Sequence, residues 1–342
     1  MNTAGSKPSL VNLDGRSILV TGGTGSFGKK FIETVLARFK PQRLVIYSRD
    51  ELKQYEMQQR FNPLDHKSLR YFIGDVRDIE RLKLALRGID TVVHAAALKQ
   101  VPAAEYNPTE CIHTNVLGAE NLVMACIQSE VKQLIALSTD KAANPINLYG
   151  ASKLASDKIF VAGNQLSGRD GTRFCCVRYG NVVGSRGSVV PLFQRLAREN
   201  ADKIPITDPD MTRFWITLQQ GVDFVLECLG TMRGGEIFIP KIPSMRITDL
   251  ADALAPGVAH DIVGIRPGEK LHEVMVTEDD ARSTLEFDNR YVIEPFFRAP
   301  SQSVLPPGAT LVPKNFRYAS DNNSQWLDRQ QLHGMIEQST EI

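Results

Sequence analysis

A glycine run between an apolar strand and an amphipathic stretch constrains this chain most. Ser17–Thr21 leads directly into Thr21-Gly-Gly-Thr-Gly-Ser-Phe-Gly28, with Gly22, Gly25 and Gly28 at intervals of three. Glycine permits the tight turn and lets backbone N–H groups approach a diphosphate at the N-terminus of the following helix. A glycine triplet alone is weak evidence, since a convenient turn has the same composition. Its weight comes from its place at the head of an alternation of strands and helices.

Candidate strands recur at Ser17–Thr21, Leu44–Tyr47, Leu69–Ile73, Thr91–Ala95, Gln133–Ser138 and Arg173–Arg178. Between them lie helical stretches at Ser26–Phe39, Asp50–Phe61, Ile79–Leu86, Pro108–Ser129 and Leu148–Leu166. Strands rich in Val, Ile and Leu and separated by helical lengths predict crossovers and a doubly wound parallel sheet, a Rossmann-type α/β fold. After Asn181 the rhythm breaks: Gly184–Arg186–Gly187 reads as a loop and Pro191–Asn200 as a short helix. Thr217 and Gln220 have capping-box spacing, opening a helix to about Leu229. Pro and Gly then thicken, which predicts a smaller C-terminal lobe over the sheet. Leu327, Leu332, Met335 and Ile336 suggest a terminal helix packed by one face. The expected division is residues 12–185 with 212–262 for the dinucleotide-binding body and 186–211 with 263–342 for the substrate lobe.

The cofactor candidates follow from that frame. The loop and first turn contribute Gly22, Thr24, Gly25, Ser26, Phe27 and Gly28. An NAD site places an acid at the end of the second strand, about twenty residues past the glycines, to hold the ribose hydroxyls. Here the strand ends Tyr47-Ser48-Arg49, with Lys53 a turn later. A guanidinium stacks on adenine and pairs with a 2′-phosphate, which favours NADP. Asp50 at a ribose, or a plain helix cap from Ser48 and Glu51, is the competing reading. Asp75 and Val76 follow the third strand at the adenine edge, and Ala95, Ala96 and Ala97 leave room for the cofactor past the fourth. Both sets equally suit ordinary strand ends.

Tyr149 and Lys153 lie four apart at the start of a predicted helix, hence on one face. A phenol with pKa ~10 is too weakly acidic to act as a base near neutrality. A nearby ammonium and the positive charge of an oxidised nicotinamide favour the phenolate. This pair gains meaning from Ser138-Thr139 at the end of the fifth strand.

Together, the glycine triplet, Asp75, the alanine run, Ser138-Thr139 and Tyr149/Lys153 resemble the extended short-chain dehydrogenase/reductases. Arg178-Tyr-Gly-Asn181-Val-Val-Gly184 and Arg266-Pro-Gly-Glu269-Lys270 add to the likeness. Ser138-Thr-Asp-Lys-Ala-Ala-Asn-Pro-Ile-Asn-Leu-Tyr-Gly-Ala-Ser-Lys153 resembles a narrower group, the inverting UDP-N-acetylglucosamine 4,6-dehydratases, which make the first intermediate of pseudaminic acid. The likeness spans nearly the whole chain, leaving out residues before about Ser9 and the stretch Ala251–His260.

The resemblance implies a substrate, UDP-N-acetylglucosamine, and a tightly bound NADP regenerated each turnover. Tyr149 takes the carbon 4 hydroxyl proton as hydride leaves that carbon, and Lys153 holds the nicotinamide ribose. The ketone acidifies the carbon 5 proton; Lys141 is implied as its base and Asp140 as the acid that helps the carbon 6 hydroxyl leave as water. A lysine desolvated near cationic groups falls from ~10.4 toward neutrality, so Lys141 is expected uncharged. Thr139 is implied to hold the carbon 4 oxygen. Return of hydride to carbon 6 and of a proton to the opposite face of carbon 5 gives UDP-2-acetamido-2,6-dideoxy-beta-L-arabino-hex-4-ulose. Retaining dehydratases resemble Thr-Asp-Glu at this trio. A retaining dehydratase, a UDP-sugar 4-epimerase and a non-catalytic NADP-binding module stand as alternatives.

Substrate contacts implied are Lys99 and Lys141 toward the sugar, Asn181, Arg266 for the diphosphate and Glu269 for the uridine ribose. A Glu269–Lys270 ion pair is the alternative for Glu269. Arg213 is either a second phosphate contact or a structural ion-pair partner, and Phe174, Phe214 and Trp215 are expected in the core. Kinship also implies a homo-oligomer, dimer or hexamer, through the helices at Pro108–Ser129 and Leu148–Leu166, whose apolar faces would equally suit packing on the sheet.

Forty basic and thirty-nine acidic residues leave a net charge of +1, which gives no support for nucleic acid or a polybasic membrane surface. No apolar stretch approaches the ~20 residues of a spanning helix, and Met1 to Asp14 lacks the apolar segment of a secretory signal. Cys111, Cys126, Cys175, Cys176 and Cys228 have neither disulfide nor metal-ligand spacing, so buried thiols in a cytoplasmic, metal-free enzyme are expected.

Overall fold

A computed structural model describes residues 11–185, 188–296 and 305–340. Arg186 and Gly187 of the expected loop lie outside the described residues. The chain opens with β1 (Ser17–Thr21), α1 (Ser26–Arg38), β2 (Arg43–Ser48), α2 (Glu51–Arg60), β3 (Leu69–Ile73), α3 (Ile79–Ala85) and β4 (Thr91–His94). Then come α4 (Val101–Tyr106), α5 (Pro108–Ile112), a π-turn (His113–Leu117), α6 (Gly118–Gln128), β5 (Gln133–Leu137), α7 (Leu148–Ser167) and β6 (Arg173–Val177). The expected helix over Pro108–Ser129 is therefore one continuous rod with an inserted π-turn, closed by the Gly118 N–H on the His113 carbonyl.

The later chain holds β7 (Asn181–Val182), α8 (Val189–Arg198), β8 (Lys203–Ile206), β9 (Thr212–Ile216), α9 (Leu218–Thr231) and β10 (Ile237–Pro240). β11 (Ser244–Arg246), α10 (Ile247–Leu254), β12 (Ala259–Ile262), β13 (Val274–Val276) and β14 (Thr284–Glu286) follow. β15 (Arg290–Ile293), β16 (Thr310–Leu311), β17 (Tyr318–Ala319) and α11 (Arg329–Thr340) complete it. Thr217 and Gln220 form the expected capping box of α9, each side chain accepting from the other's backbone N–H.

The main sheet has ten strands in the order β16-β14-β15-β10-β6-β5-β4-β1-β2-β3. From β3 to β10 every pairing is parallel; β15, β14 and β16 add an antiparallel edge. Since β2 and β4 flank β1, right-handed crossovers send α1 and α6 to opposite faces. α1 packs on α9, and α6 lies against both α3 and α7. Helices on both faces explain why Ile18–Val20, Val92–Val93 and Leu134–Ile135 are continuous apolar runs with no exposure.

A second core forms around Phe193, Ile206, Trp215, Leu250 and Leu332. The expected division needs two corrections. β14 and β15, assigned to the lobe, pair into the main sheet because β15 runs back antiparallel along β10. α10, assigned to the body, buries Leu250 and Ala251 in the second core instead. Phe174, Phe214, Trp215 and all five cysteines are buried.

Candidate active site

A cleft of ≈ 1360 Å³ opens at the carboxyl ends of the parallel strands, and every cofactor and substrate candidate read from the sequence lines it. This is where strand order reverses about β1, the usual ligand position in such sheets. Gly22, at φ 65°, leaves no room for a Cβ: one would stand 2.7 Å from the Ala96 nitrogen. At Gly28 a Cβ would lie 2.5 Å from the Gly23 Cα, so the third glycine lets α1 close onto the loop. Gly25 caps α1 without a side-chain hydrogen bond, leaving first-turn N–H groups directed at the cleft. Thr24 and Ser48 join hydroxyl to hydroxyl at 2.9 Å across the loop. A backbone cradle at a helix N-terminus, with alanines facing it, fits a dinucleotide.

At the end of β2, Asp50 caps α2 by accepting from the Lys53 N–H at 3.0 Å, and the Lys53 ammonium pairs with it at 2.8 Å. Arg49 is half exposed and 3.6 Å from Asp75. Burial alone would raise the Asp75 carboxyl, but hydrogen bonds and charge from Arg77, with Arg49 adding to them, hold it below its ordinary value.

The reacting centre is built where β5 ends. Thr139 caps a short 3-10 turn, Asp140–Ala142, by accepting from the Lys141 N–H, and its hydroxyl donates to Asp140 Oδ1 at 2.9 Å. Lys141 Nζ lies 3.0 Å from Asp140 Oδ1, 3.2 Å from Glu273 Oε1 and 3.4 Å from Asn181 Oδ1. Asn147 caps α7 through the Gly150 N–H at 2.7 Å, fixing the turn from which Tyr149 faces the cleft. Tyr149 packs with Ala104 of α4 and Cys111 of α5. Lys153, a turn further on, is buried.

These contacts reverse one expectation. Burial pulls the Lys141 ammonium down, but the carboxylates of Asp140 and Glu273 outweigh it, and the group ends above its ordinary value. Lys141 is a charged, ion-paired ammonium rather than a neutral amine. Burial, then the Glu273 charge, raises Asp140, whose side chain has essentially no exposure, while Lys141 and the Thr139 hydroxyl oppose that shift. Burial pushes Tyr149 up to about 12, opposed by the Lys141 charge and the Thr139 hydroxyl rather than by Lys153. Lys153 itself is lowered by burial.

At the substrate end, Lys99 stands at the cleft wall, lowered by desolvation and by the charge of Lys141. Arg266 is exposed in a turn closed by the Glu269 N–H on its carbonyl, with the Gly268 carbonyl accepting from Asn147 at 2.8 Å. Lys270 turns inward to the Ala143 carbonyl at 2.5 Å, away from the pairing with Glu269 that was the alternative. Arg213 donates to the carbonyls of Thr212, Leu271 and Lys270 at 2.7–3.0 Å and lies 3.7 Å from Glu273. Its guanidinium is thus engaged by the fold, which favours the structural partner over a phosphate contact.

The sequence pattern described as polysaccharide biosynthesis protein matches residues 18–295. The chain belongs to that family. Within the extended short-chain dehydrogenase/reductases, an inverting UDP-N-acetylglucosamine 4,6-dehydratase of Campylobacter jejuni is 56% identical over 329 residues, covering 94% of this chain and 98% of the relative. The X-ray structure of Pen from Bacillus thuringiensis is 34% identical with a TM-score of 0.87, covering 97% of this chain and all of that one. A dTDP-glucose 4,6-dehydratase from Streptomyces venezuelae, solved with NAD bound, shares the fold at 24% identity and a TM-score of 0.66, covering 75% of this chain and 86% of that one. Among the described residues of this family member, no helix is long and apolar enough to cross a membrane.

Two residues that shape the site had no sequence signal. Glu273 arrives from the segment before β13, far along the chain from Lys141. Asn115, in the π-turn, clamps the Leu98 peptide through both its N–H and carbonyl at 2.9 Å and donates to Ser152 of α7 at 2.9 Å. It ties the loop after the alanine run to the helix carrying Tyr149 and Lys153, a use for a π-turn at a functional site.

Proposed function

We propose that this chain is a UDP-N-acetylglucosamine 4,6-dehydratase that inverts carbon 5, acting with NADP. The observation that carries the reading is the Asp140–Lys141 pair in one cleft with Thr139 and Tyr149. That arrangement supplies a second acid–base pair beside the oxidation centre, as elimination of water requires and simple epimerisation does not. Near full-length identity of 56% to a dehydratase of that kind supports it.

A nicotinamide dinucleotide held by Gly22, Gly25, Gly28, Tyr149 and Lys153 would supply the hydride acceptor for carbon 4 and the hydride donor for carbon 6. Tyr149 removes the carbon 4 hydroxyl proton while Thr139 holds that oxygen. Asp140 donates its proton to the departing carbon 6 hydroxyl, releasing water. Lys141 exchanges the carbon 5 proton between faces; because its amine rests protonated, it must first release a proton within its cluster of Asp140 and Glu273. Lys99, Asn181, Arg266 and Glu269 bind the UDP-sugar.

NADP is favoured because Asp50, the acid nearest the β2 end, is engaged by Lys53, whereas Arg49 extends half exposed beside Ser48. The product suits the first step toward pseudaminic acid. The test is proton NMR of UDP-N-acetylglucosamine turned over in deuterated water. The expected product is a 4-keto-6-deoxy sugar carrying deuterium at an inverted carbon 5. A D-gluco configuration retained there, or no loss of water, overturns the reading.

A further inference from the structure

Glu273 enters the chemistry above only as a neighbour of Lys141, yet it is built firmly into the reacting centre. Its side chain is 3% exposed. Its backbone is fixed on both sides by Ser320: the Glu273 N–H donates to Ser320 Oγ at 2.9 Å, and the Ser320 N–H to the Glu273 carbonyl at 2.8 Å. The Ser320 and Thr212 hydroxyls in turn lie 2.7 Å apart, tying this segment to β9. From that support Oε1 reaches Lys141 Nζ at 3.2 Å and Arg213 Nε at 3.7 Å.

Glu273 Oε2 is buried and has no hydrogen-bond partner among the described residues. A carboxylate withdrawn from water with one oxygen unmatched is a costly arrangement, and each such group calls for an explanation. Arg213 spends Nη1 and Nη2 on three backbone carbonyls and reaches Glu273 only through Nε, 3.7 Å from Oε1. Lys141, 3.2 Å from the same oxygen, is the nearer cation.

We propose that Glu273 is a positioning residue for dehydration, holding Lys141 Nζ through Oε1 on the cleft wall beside Asn181 and Asp140. The proposal rests on the dehydratase reading above. Lys141 already stands 3.0 Å from Asp140, and without the opposing pull of Glu273 its ammonium would rest on that acid alone. Four charged groups face it: Lys141 and Asp140 from the 3-10 turn, Arg213 from β9 and Lys270 from its own segment. Burial works against its ionisation, but Lys141, Arg213 and Lys270 hold it below its ordinary value. Its charge then adds to burial in raising Asp140.

Glu273→Gln keeps the size and removes the charge; Glu273→Asp keeps the charge on a shorter arm. Both are compared with wild-type holoenzyme on UDP-N-acetylglucosamine. Single-turnover absorbance of reduced nicotinamide reads carbon 4 oxidation, and release of the 4-keto-6-deoxy product reads dehydration. Glu273→Gln is expected to slow dehydration about tenfold or more, with oxidation and KM changed less than about threefold, and Glu273→Asp to recover part of the loss. In a Lys141→Ala background the Gln substitution should add nothing, because the two residues act as a unit. Equal loss of both steps, a rise in KM alone, additive losses or wild-type dehydration by Glu273→Gln overturns the proposal. If Glu273→Gln does not fold, Glu273→Asp carries the same comparison of the two steps. Should wild-type protein release no dehydrated product, the dehydratase reading fails as well; normal wild-type turnover with an indifferent Glu273→Gln removes this proposal alone.

Discussion

The carbonyl oxygen of Lys141 packs onto Gly150 so closely that any Cβ there would overlap it. This contact seats the turn bearing Asp140 and Lys141 on the first turn of α7, one residue from Tyr149. The two halves of the proposed chemistry are therefore held in register by a missing side chain. In an ordinary helix, Gly→Ala stabilises by about 1 kcal/mol. Here the overlap with backbone forces a shift of the kind that costs about 1–3 kcal/mol, so Gly150→Ala is expected to gain nothing and to lose up to about 2 kcal/mol net. Denaturant unfolding checks it, and a stabilised variant would refute the close seating.

Lys141→Ala should separate oxidation from elimination. Removing the amine leaves Tyr149, Thr139 and Lys153 in position, so reduced nicotinamide should still appear on adding substrate, more slowly because the Lys141 charge no longer opposes the burial that raises Tyr149. Dehydration should fall by about 10²–10⁴-fold, the usual contribution of a positioned acid or base. Asp140→Asn should block the same step by removing the proton donor. Stopped-flow absorbance followed by product analysis distinguishes the steps, and deuterium entering carbon 5 at the wild-type rate in Lys141→Ala would exclude the lysine as base.

Local patterns made the first two thirds of the fold legible. Gly22, Gly25 and Gly28 mark a turn that only small residues fit, and Tyr149 with Lys153 marks one helix face. What the pattern missed depends on distant partners. Lys141 was expected neutral because its neighbours in sequence reveal burial but not Glu273, which reaches it only after the chain has crossed the sheet. Arg213 reads as an available cation until the carbonyls of Leu271 and Lys270 meet it. α4, six residues with Pro102 in its first turn and no side-chain cap, is too short to show a helical period. β15 and β14 were missed as sheet strands because an antiparallel return leaves no crossover helix in the sequence.

His94 should make the fold acid-sensitive. It is fully enclosed at the end of β4, with Nδ1 2.7 Å from the Thr21 hydroxyl and its ring 5.4 Å from Phe160. Burial, helped by the charge of Lys153, lowers it from 6.5 to about 3. The unfolded chain takes up the proton first as pH falls, so the stability linked to neutral His94 is complete above about 6.5 and declines below it. The loss should reach about 2 kcal/mol by pH 5 and continue until the folded histidine titrates near 3. His94→Gln removes this titration at some cost at neutral pH. Unfolding midpoints at pH 7.5 and pH 5 should therefore lie closer together in the variant, and an unchanged gap would sink the assignment.

Cofactor choice should turn on Arg49. Its guanidinium lies at the end of β2, 3.6 Å from Asp75 and half open to solvent, so it can turn onto a 2′-phosphate without breaking a buried contact among the described residues. A charge-assisted hydrogen bond contributes about 1.5–3 kcal/mol, so Arg49→Ala should weaken NADP binding by roughly 10- to 150-fold. NAD has no phosphate there, and its affinity should stay within about threefold. Asp50 cannot take over the ribose hydroxyls while Lys53 holds it through both N–H and ammonium. Adding Lys53→Ala should free that carboxylate and raise NAD affinity over Arg49→Ala alone. Calorimetric titration of both dinucleotides against the two variants measures each effect. Equal weakening of NAD and NADP by Arg49→Ala would show that the guanidinium stacks on adenine instead of reading the phosphate.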